Sequence, residues 1–177
     1  MDARDLFVGV DPGFHGAIAV LSLQDGACAV CPHIFEIHDM PTLPVPYRGK
    51  TRRELDPHRL VAILRPLASR VRVAVLERPT ASPQMGVTSA FRFGAAVESA
   101  QVVLASLGIP FRAVVPSTWK ALMRLPADKL LALAKVREWF SDDPGLHRIR
   151  RHDHAEAAAL ALMGFERFYD APRAPTP

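Results

Sequence analysis

The sequence has few cysteines and no long hydrophobic run, and each absence excludes a class of protein. Its two cysteines, Cys28 and Cys31, form one C-x-x-C spacing, with no second pair and no histidine pair to complete a zinc site. Residues three apart on a strand point to opposite faces, so we interpret both as reduced structural cysteines. No apolar run approaches the roughly 20 residues that a membrane-spanning helix needs. We therefore expect no contact with a membrane.

Glycine-rich phosphate loops are also missing, which argues against a sugar-kinase-like or actin-like ATPase. Residues 49–51 (GKT) are similar to the end of a P-loop, but residues 43–46 (LPVP) lack the glycine that this loop requires. We therefore expect no nucleotide cofactor. The charged residues 1–5 do not form a secretory signal, so we expect a cytoplasmic protein.

The chain does carry a positive charge. Among its 177 residues, 22 Lys and Arg stand against 18 Asp and Glu, which gives a net charge of +4. The basic residues are clustered, which favours an acidic partner such as nucleic acid, although the net charge alone fits a solubility margin equally well. The length suits one α/β domain, which we expect over residues 1–170, followed by a disordered tail over residues 171–177.

The order of the apolar segments predicts an α/β fold. The predicted strands cover residues 6–10, 16–23, 27–37, 71–76 and 111–115. The predicted helices begin at Pro57 after an Asp56 cap, cover 89–107, begin again at 116, and cover 127–140 and 153–168. Residues 41–54, rich in proline and basic residues, are predicted to be an exposed loop. The later strands need helical crossovers and should lie parallel to the first.

Four acidic residues are predicted to converge. Asp11 and Glu77 each follow an apolar strand, and Asp153 and Glu156 lie one turn apart at the start of the last helix. The carboxyl ends of parallel strands meet at the edge of the sheet where ligands usually bind. Such a cluster needs cations, and its hard oxygen ligands favour Mg²⁺ or Mn²⁺. Two ions about 3.5–4 Å apart can activate water and stabilise the leaving oxygen of a phosphodiester.

Each acid also has an ordinary structural interpretation. Asp11 precedes a Pro-Gly turn, Glu77 could pair with Arg78, and Asp153 could cap the last helix. Their joint placement at two strand ends and one helix start favours the metal site.

Motifs in the same order resemble those of the RuvC family of Holliday junction resolvases. Residues 8–13 (VGVDPG) are similar to the first-strand motif of that family, and residues 75–79 (VLERP) to its second acidic motif. Residues 152–161 (HDHAEAAALA) are similar to its closing acidic helix. Residues 85–94 (MGVTSAFRFG), and the stretch from LGIP at 107 to PSTWK at 120, resemble its phage and bacterial branch.

The resemblance implies an RNase H-like fold with a mixed five-stranded sheet flanked by helices, in a bacterial or phage-infected cell. It implies a homodimeric crossover junction endonuclease that hydrolyses paired phosphodiester bonds of four-way junction DNA. The implied cofactor is Mg²⁺, with Mn²⁺ as a substitute, at two ions per subunit.

By position, the resemblance makes Asp11, Glu77 and Asp153 metal ligands and puts Glu156 in the fourth acidic place, which is often Asp. It is open whether Asp153 or Glu156 binds the metal more directly, and whether His152 and His154 take part.

Lys120 is the further catalytic candidate, because it follows the fifth predicted strand in the Trp-Lys motif and could meet the scissile phosphate. Resolvase-like proteins use side chains near the second acidic motif to hold the junction centre open, and the resemblance offers Met85, Phe91 and Phe93 for this role, with core packing favoured for Phe93. The full set of candidate DNA-binding residues is Arg48, Lys50, Arg52, Arg53, Arg78, Met85, Phe91, Arg92, Lys120, Arg150 and Arg151. The small-residue face of the 89–107 helix is the candidate two-fold interface.

Two alternatives of the same fold remain. One is a junction-binding protein that does not cut, against which the intact acidic set argues. The other is an RNase H-like nuclease that acts on RNA–DNA hybrids or other branched nucleic acids, which the sequence does not exclude.

Overall fold

The structure is a computed structural model that describes residues 5–25, 30–80 and 85–168. Its strands are β1 (Leu6–Val10), β2 (Ala17–Asp25), β3 (Val30–Asp39), β4 (Thr42–Tyr47), β5 (Lys50–Leu55), β6 (Val71–Glu77) and β7 (Phe111–Val114). Its α-helices are α1 (Pro57–Leu64), α2 (Val87–Ser106), α3 (Pro116–Leu122), α4 (Lys129–Trp139) and α5 (His152–Phe168). Short 3₁₀ helices cover Arg65–Arg70 and Leu146–Arg148.

Five strands form a mixed sheet in the order β3-β2-β1-β6-β7, as the sequence predicts. The first three strands form an antiparallel meander, whereas β6 and β7 run parallel to β1. Every residue of β1 is buried, because this strand lies at the centre of a sheet covered on both faces. Because β3 and β6 run in the same direction as β1, the carboxyl ends of these three strands lie at one edge of the sheet.

The sheet separates two apolar cores. Because side chains alternate along a strand, β1 contributes Phe7 to the core beneath α5 and Leu6 and Val8 to the core beneath α1 and α2. Helix α5 lies directly against β1, where a side-chain carbon at Gly9 would collide with the carbonyl oxygen of Ala157. This close approach brings the start of α5 to the carboxyl end of β1.

Residues 41–54 correct the sequence prediction, since they are not a loop. They contain the hairpin β4–β5, a separate two-stranded sheet that closes through Arg48 and Gly49 with φ of 46° and 73°. Pro44 and Pro46 suggested a loop because proline cannot donate to a sheet. Among the described strands β4 pairs with β5 alone. One side of β4 therefore needs no backbone donor, and the proline nitrogens can lie on that side.

Most other boundaries agree with the predictions to within a few residues. Asp56 caps α1 by accepting from the Arg59 amide at 3.0 Å, and α5 begins at His152. The third strand is shifted towards Asp39, and its predicted turn residue Gly26 lies outside the described residues, as do Cys28 and the 171–177 tail. No helix in the described ranges combines the length and apolar character needed to span a bilayer.

Candidate metal centre

Three buried carboxylates meet at one edge of the sheet. Asp11 follows β1, Glu77 is the last residue of β6, and Glu156 lies near the start of α5. One oxygen from each lies within 4.8 Å of the others, and each residue is 6–7% exposed. The arrangement is a set of hard oxygen donors that could hold a divalent metal ion.

Asp153 lies outside this group of three. Its carboxylate is 29% exposed and lies 3.5 Å from Arg151 Nε and 3.9 Å from His152 Nδ1. It is nevertheless close enough for its charge to contribute to the raised pKa of Asp11. Of the two acids on α5, Glu156 is thus the one that the structure brings into the carboxylate group.

The electrostatics of the group show that its negative charge is only partly neutralised, since Lys120 is its one lysine partner among the described ion pairs. Burial raises the pKa of Asp11 to about 7; the Gly13 amide opposes this rise, while the charges of Glu77 and Glu156 add to it. Burial also raises the pKa of Glu77, against the effect of a hydrogen bond from Trp119. Buried carboxylates at this density ionise together only if a cation neutralises them, so the residues fit a divalent ion.

The loop after β1 holds the Asp11 carboxylate in place. The Gly13 amide donates to Asp11 Oδ1 at 3.0 Å, and the Asp11 amide donates to the Ala17 carbonyl at 2.9 Å. A side-chain carbon at Gly16 would collide with the Asp11 carbonyl oxygen. The apolar strand and the Pro-Gly turn therefore fix both the position and the orientation of this acid.

Two residues of α3 contact the acidic group from the other side. The fully buried Trp119 donates from Nε1 to Glu77 Oε1 at 2.9 Å. Lys120 Nζ forms an ion pair with Glu156 Oε1, which also lies 3.1 Å from His152 Nε2. Lys120 was a sequence candidate, whereas Trp119 was missed as a site residue although it stands in the same PSTWK motif.

The flank of α5 is tied to the sheet by a second set of contacts. Arg151 donates to the carbonyls of His15 and Gly16 at 3.0 and 3.3 Å and pairs with Asp39 at 3.0 Å. His154 Nε2 lies 2.7 Å from Asp39 Oδ1, and its Nδ1 lies 3.0 Å from the Arg148 carbonyl oxygen. Of the two histidines, His152 contacts the acidic group and His154 faces Asp39.

The other DNA-binding candidates lie on several elements of the fold. Arg52 and Arg48 lie over the Tyr47 ring at 3.4 and 5.4 Å, on the hairpin that also carries Lys50 and Arg53. Arg92 lies 4.6 Å from the Phe14 ring and donates to the Arg53 carbonyl, so it joins α2 to the hairpin. The remaining positions are Arg78 and Met85 at a 190 Å³ cavity, Phe91 exposed by 80%, and Arg150 and Arg151 before α5.

Part of the small-residue face of α2 is buried within the chain itself and cannot contact a second subunit. Ala96 and Ala100 are buried in the core beneath α2, so they pack against their own chain. The exposed large apolar residues of this helix are Val87, Phe91 and Val102. The expectation that the alanines form a two-fold contact is therefore wrong for Ala96 and Ala100.

Comparison with known proteins shows the fold. No protein-family model and no curated protein sequence match the chain. Among solved structures, T. thermophilus RuvC in complex with Holliday junction substrate has a TM-score of 0.58 and 17% identity, covering 92% of this chain and 95% of that one. A second Thermus thermophilus RuvC structure has a TM-score of 0.56 and 18% identity, covering 93% and 96%. The chain therefore has the fold of RuvC, as its motifs predict.

Proposed function

We propose that this chain is a divalent-metal-dependent endonuclease that resolves four-way DNA junctions by paired phosphodiester hydrolysis. The observation that carries the proposal is the buried group of Asp11, Glu77 and Glu156. It lies at the sheet edge of a fold shared with RuvC, a protein solved in complex with a Holliday junction substrate.

The acidic group would hold Mg²⁺, or Mn²⁺ in its place, at two ions per subunit. Asp11, Glu77 and Glu156 would be the ligands, and Asp153 would complete the set from the first turn of α5. When bound, such ions supply an activated water and stabilise the charge on the leaving oxygen. The raised pKa of Asp11 supports this proposal, because it shows that the ionised carboxylate is unfavourable in this buried site without a cation. A bound cation would stabilise the ionised form.

Residues around the ligands would position the reacting groups. Trp119 donates a hydrogen bond to one carboxylate oxygen of Glu77, so the second oxygen would be available to bind the metal. Lys120 Nζ, which pairs with Glu156, would be free to contact a phosphate oxygen once Glu156 is bound to metal. Both side chains come from α3, so this short helix would set the geometry between the acidic group and the DNA strand.

The junction itself has two-fold symmetry, which a homodimer with two metal centres would match. The exposed Phe91 and the half-buried Met85 lie at or just before the start of α2, close in sequence to Glu77. We propose that they contact unstacked bases at the junction centre, where an apolar surface offsets part of the unstacking cost.

The test compares cleavage of a mobile four-way junction, a linear duplex and an RNA–DNA hybrid in Mg²⁺. We expect the wild type to cut the junction selectively, and Asp11→Asn to bind the junction without cutting it. Asp142→Asn, at an exposed position outside the carboxylate group, is the matched control and should cut like the wild type.

Each rival function has its own outcome in this assay. Cleavage of all three substrates at equal rates would remove the resolvase assignment and leave a general nuclease. Preferential cleavage of the hybrid would favour an RNase H-like activity. Tight junction binding by the wild type without any cut in Mg²⁺ or Mn²⁺ would identify a junction-binding protein.

A further inference from the structure

A second charged region lies beside the metal centre, in a cleft of about 670 Å³. Four arginines line it: Arg53 of β5, Arg59 of α1, and Arg150 and Arg151 before α5. Asp39, at the end of β3, is the one carboxylate among its described lining residues. We name this region the arginine cleft.

The charges in the arginine cleft are not balanced. Asp39 already contacts Arg151 at 3.0 Å and His154 at 2.7 Å, and its hydrogen bond with His154 lowers its pKa, so it stays ionised and occupied. Within the described ranges, no carboxylate lies within 4.0 Å of the guanidinium groups of Arg53, Arg59 or Arg150. Three positive side chains without a contacting carboxylate therefore line one cleft, and only Arg150 of the three acts on Asp39, from beyond contact distance. This arrangement favours an anion with several charged groups.

The arginine cleft has a fixed position relative to the metal centre. Strand β3 runs in the same direction as β1 and lies two places away in the sheet, so Asp39 ends at the same edge as Asp11. Two strand spacings of about 4.8 Å put the ends of these strands about 10 Å apart. This separation is short enough for one DNA strand to lie across both sites.

The lining of the cleft suits a phosphate backbone better than a base. None of its described lining residues is Trp, Tyr or Phe, and its two rings, those of His38 and His154, are each hydrogen-bonded to a carboxylate. Guanidinium groups instead bind phosphate through paired N–H donors. The side of the cleft that Arg53 forms is held in place, because Arg92 of α2 donates a hydrogen bond to the backbone carbonyl of Arg53 on the hairpin.

We propose that the arginine cleft binds the phosphodiester backbone of a DNA strand close to the bond at the metal centre. Arg53, Arg59 and Arg150 contact the phosphates, and Arg151 holds the cleft against the start of α5. This inference rests on the proposed nuclease function and adds to it a second, sequence-independent grip on the same strand. Arg59, on α1, belongs to this grip although no sequence motif marks it.

The first experiment measures junction affinity without Mg²⁺, in EDTA, as a function of salt. The test variant combines Arg53→Gln, Arg59→Gln and Arg150→Gln. The control combines Arg65→Gln, Arg112→Gln and Arg167→Gln, which removes the same charge from exposed positions outside the cleft. Each lost phosphate contact should reduce the slope of log K against log salt by about 0.9, so we expect the test variant to lose about 2 to 3 and the control much less.

The second experiment locates the contact by moving a single neutral methylphosphonate along each strand of the junction. The wild type should lose affinity where the methylphosphonate replaces the phosphates bound in the cleft, and the test variant should not respond there. Equal salt slopes for the two triple variants, or an unchanged methylphosphonate response in the test variant, would overturn the inference.

Inorganic phosphate distinguishes a strand from a small anion. If phosphate raises the melting temperature of the wild type but not of the test variant, while both bind the junction with the same salt slope, the cleft is a small-anion site and the inference is wrong. Because both binding assays omit Mg²⁺, a protein that never cuts DNA can still pass them. A protein that cuts junctions can equally fail them, so failure of the cleft proposal can be told apart from failure of the proposed nuclease function.

Discussion

The metal centre and the arginine cleft lie at the same edge of one sheet, yet they are built in opposite ways. The metal centre is buried, and its three acids come from the ends of apolar strands and a helix that packs against them. The arginine cleft is open, and its charged side chains come from a hairpin, α1 and the segment before α5. One site is made by the core and the other by the surface.

This difference decides what each site costs the folded protein. Burial of unpaired carboxylates opposes folding, as the raised pKa values of Asp11 and Glu77 show. Exposed arginines keep their hydration and cost little. Changes at the metal centre should therefore alter the free energy of unfolding and metal affinity strongly, whereas changes on the hairpin should alter them weakly.

The largest expected effect is a pH dependence that only the metal centre can produce. The pKa of Asp11 is about 7 in the folded protein, against 3.8 ordinarily. Between these values the folded state holds a proton that the unfolded chain has released, so raising the pH favours unfolding. Each pKa unit corresponds to about 1.4 kcal/mol, so the metal-free protein should lose several kcal/mol between pH 4 and pH 8 relative to Asp11→Asn.

Urea unfolding of the wild type and of Asp11→Asn in EDTA checks this expectation. The two should be similarly stable near pH 4, and the variant should be the more stable at pH 8. Saturating Mg²⁺ should remove most of the loss in the wild type, because the ion prefers the ionised carboxylate. Parallel pH curves for the two proteins in EDTA would show that Asp11 does not titrate abnormally.

An intermediate effect is expected at Trp119, which contacts the acidic group without belonging to it. Trp119→Phe keeps an aromatic ring in the core but removes the 2.9 Å hydrogen bond to Glu77. Loss of such an orienting partner typically weakens metal binding by about 10-fold to 100-fold. We expect a loss in that range for Mn²⁺, measured by calorimetry on the protein without DNA.

Trp139→Phe is the matched control, because Trp139 is the only other tryptophan of the chain and lies on α4. It should leave Mn²⁺ affinity unchanged. Equal losses in the two variants would mean that Trp119 acts through general packing and not through Glu77.

The contrast between the two sites also explains what the sequence could predict. Asp11 and Glu77 could be located because each stands at the carboxyl end of a mainly apolar strand, and such strand ends can be predicted from the hydrophobic pattern. Lys120 was predicted from its place after the fifth strand, in a Trp-Lys motif that resembles the resolvase family. The choice between Asp153 and Glu156 could not be made, because the two lie one turn apart on one helix, and the packing of α5 against β1 is a tertiary contact that no local pattern shows.

The hairpin was missed for a related reason. Alternation of buried and exposed residues identifies a strand that faces a core, but β4 and β5 are mostly exposed or half-buried, so their pattern carries little signal. Prolines and arginines then favoured a loop. Arg59 was missed because a cleft is defined by residues distant in the chain, and no local pattern indicates which exposed arginines share it.

The smallest expected effect tests whether the two regions are independent. Gly49 closes the hairpin with φ of 73° and has open space where a side chain would lie, so Gly49→Ala should cost about 1 kcal/mol of the free energy of unfolding through backbone strain alone. Because the hairpin contributes no ligand, Mn²⁺ affinity should not change. The double variant Gly49→Ala/Trp119→Phe should then show the sum of the two single losses of stability, within about 0.5 kcal/mol. A larger deviation would mean that the hairpin and the metal centre are coupled through the sheet edge that they share, and that the cleft helps to set the geometry of the acids.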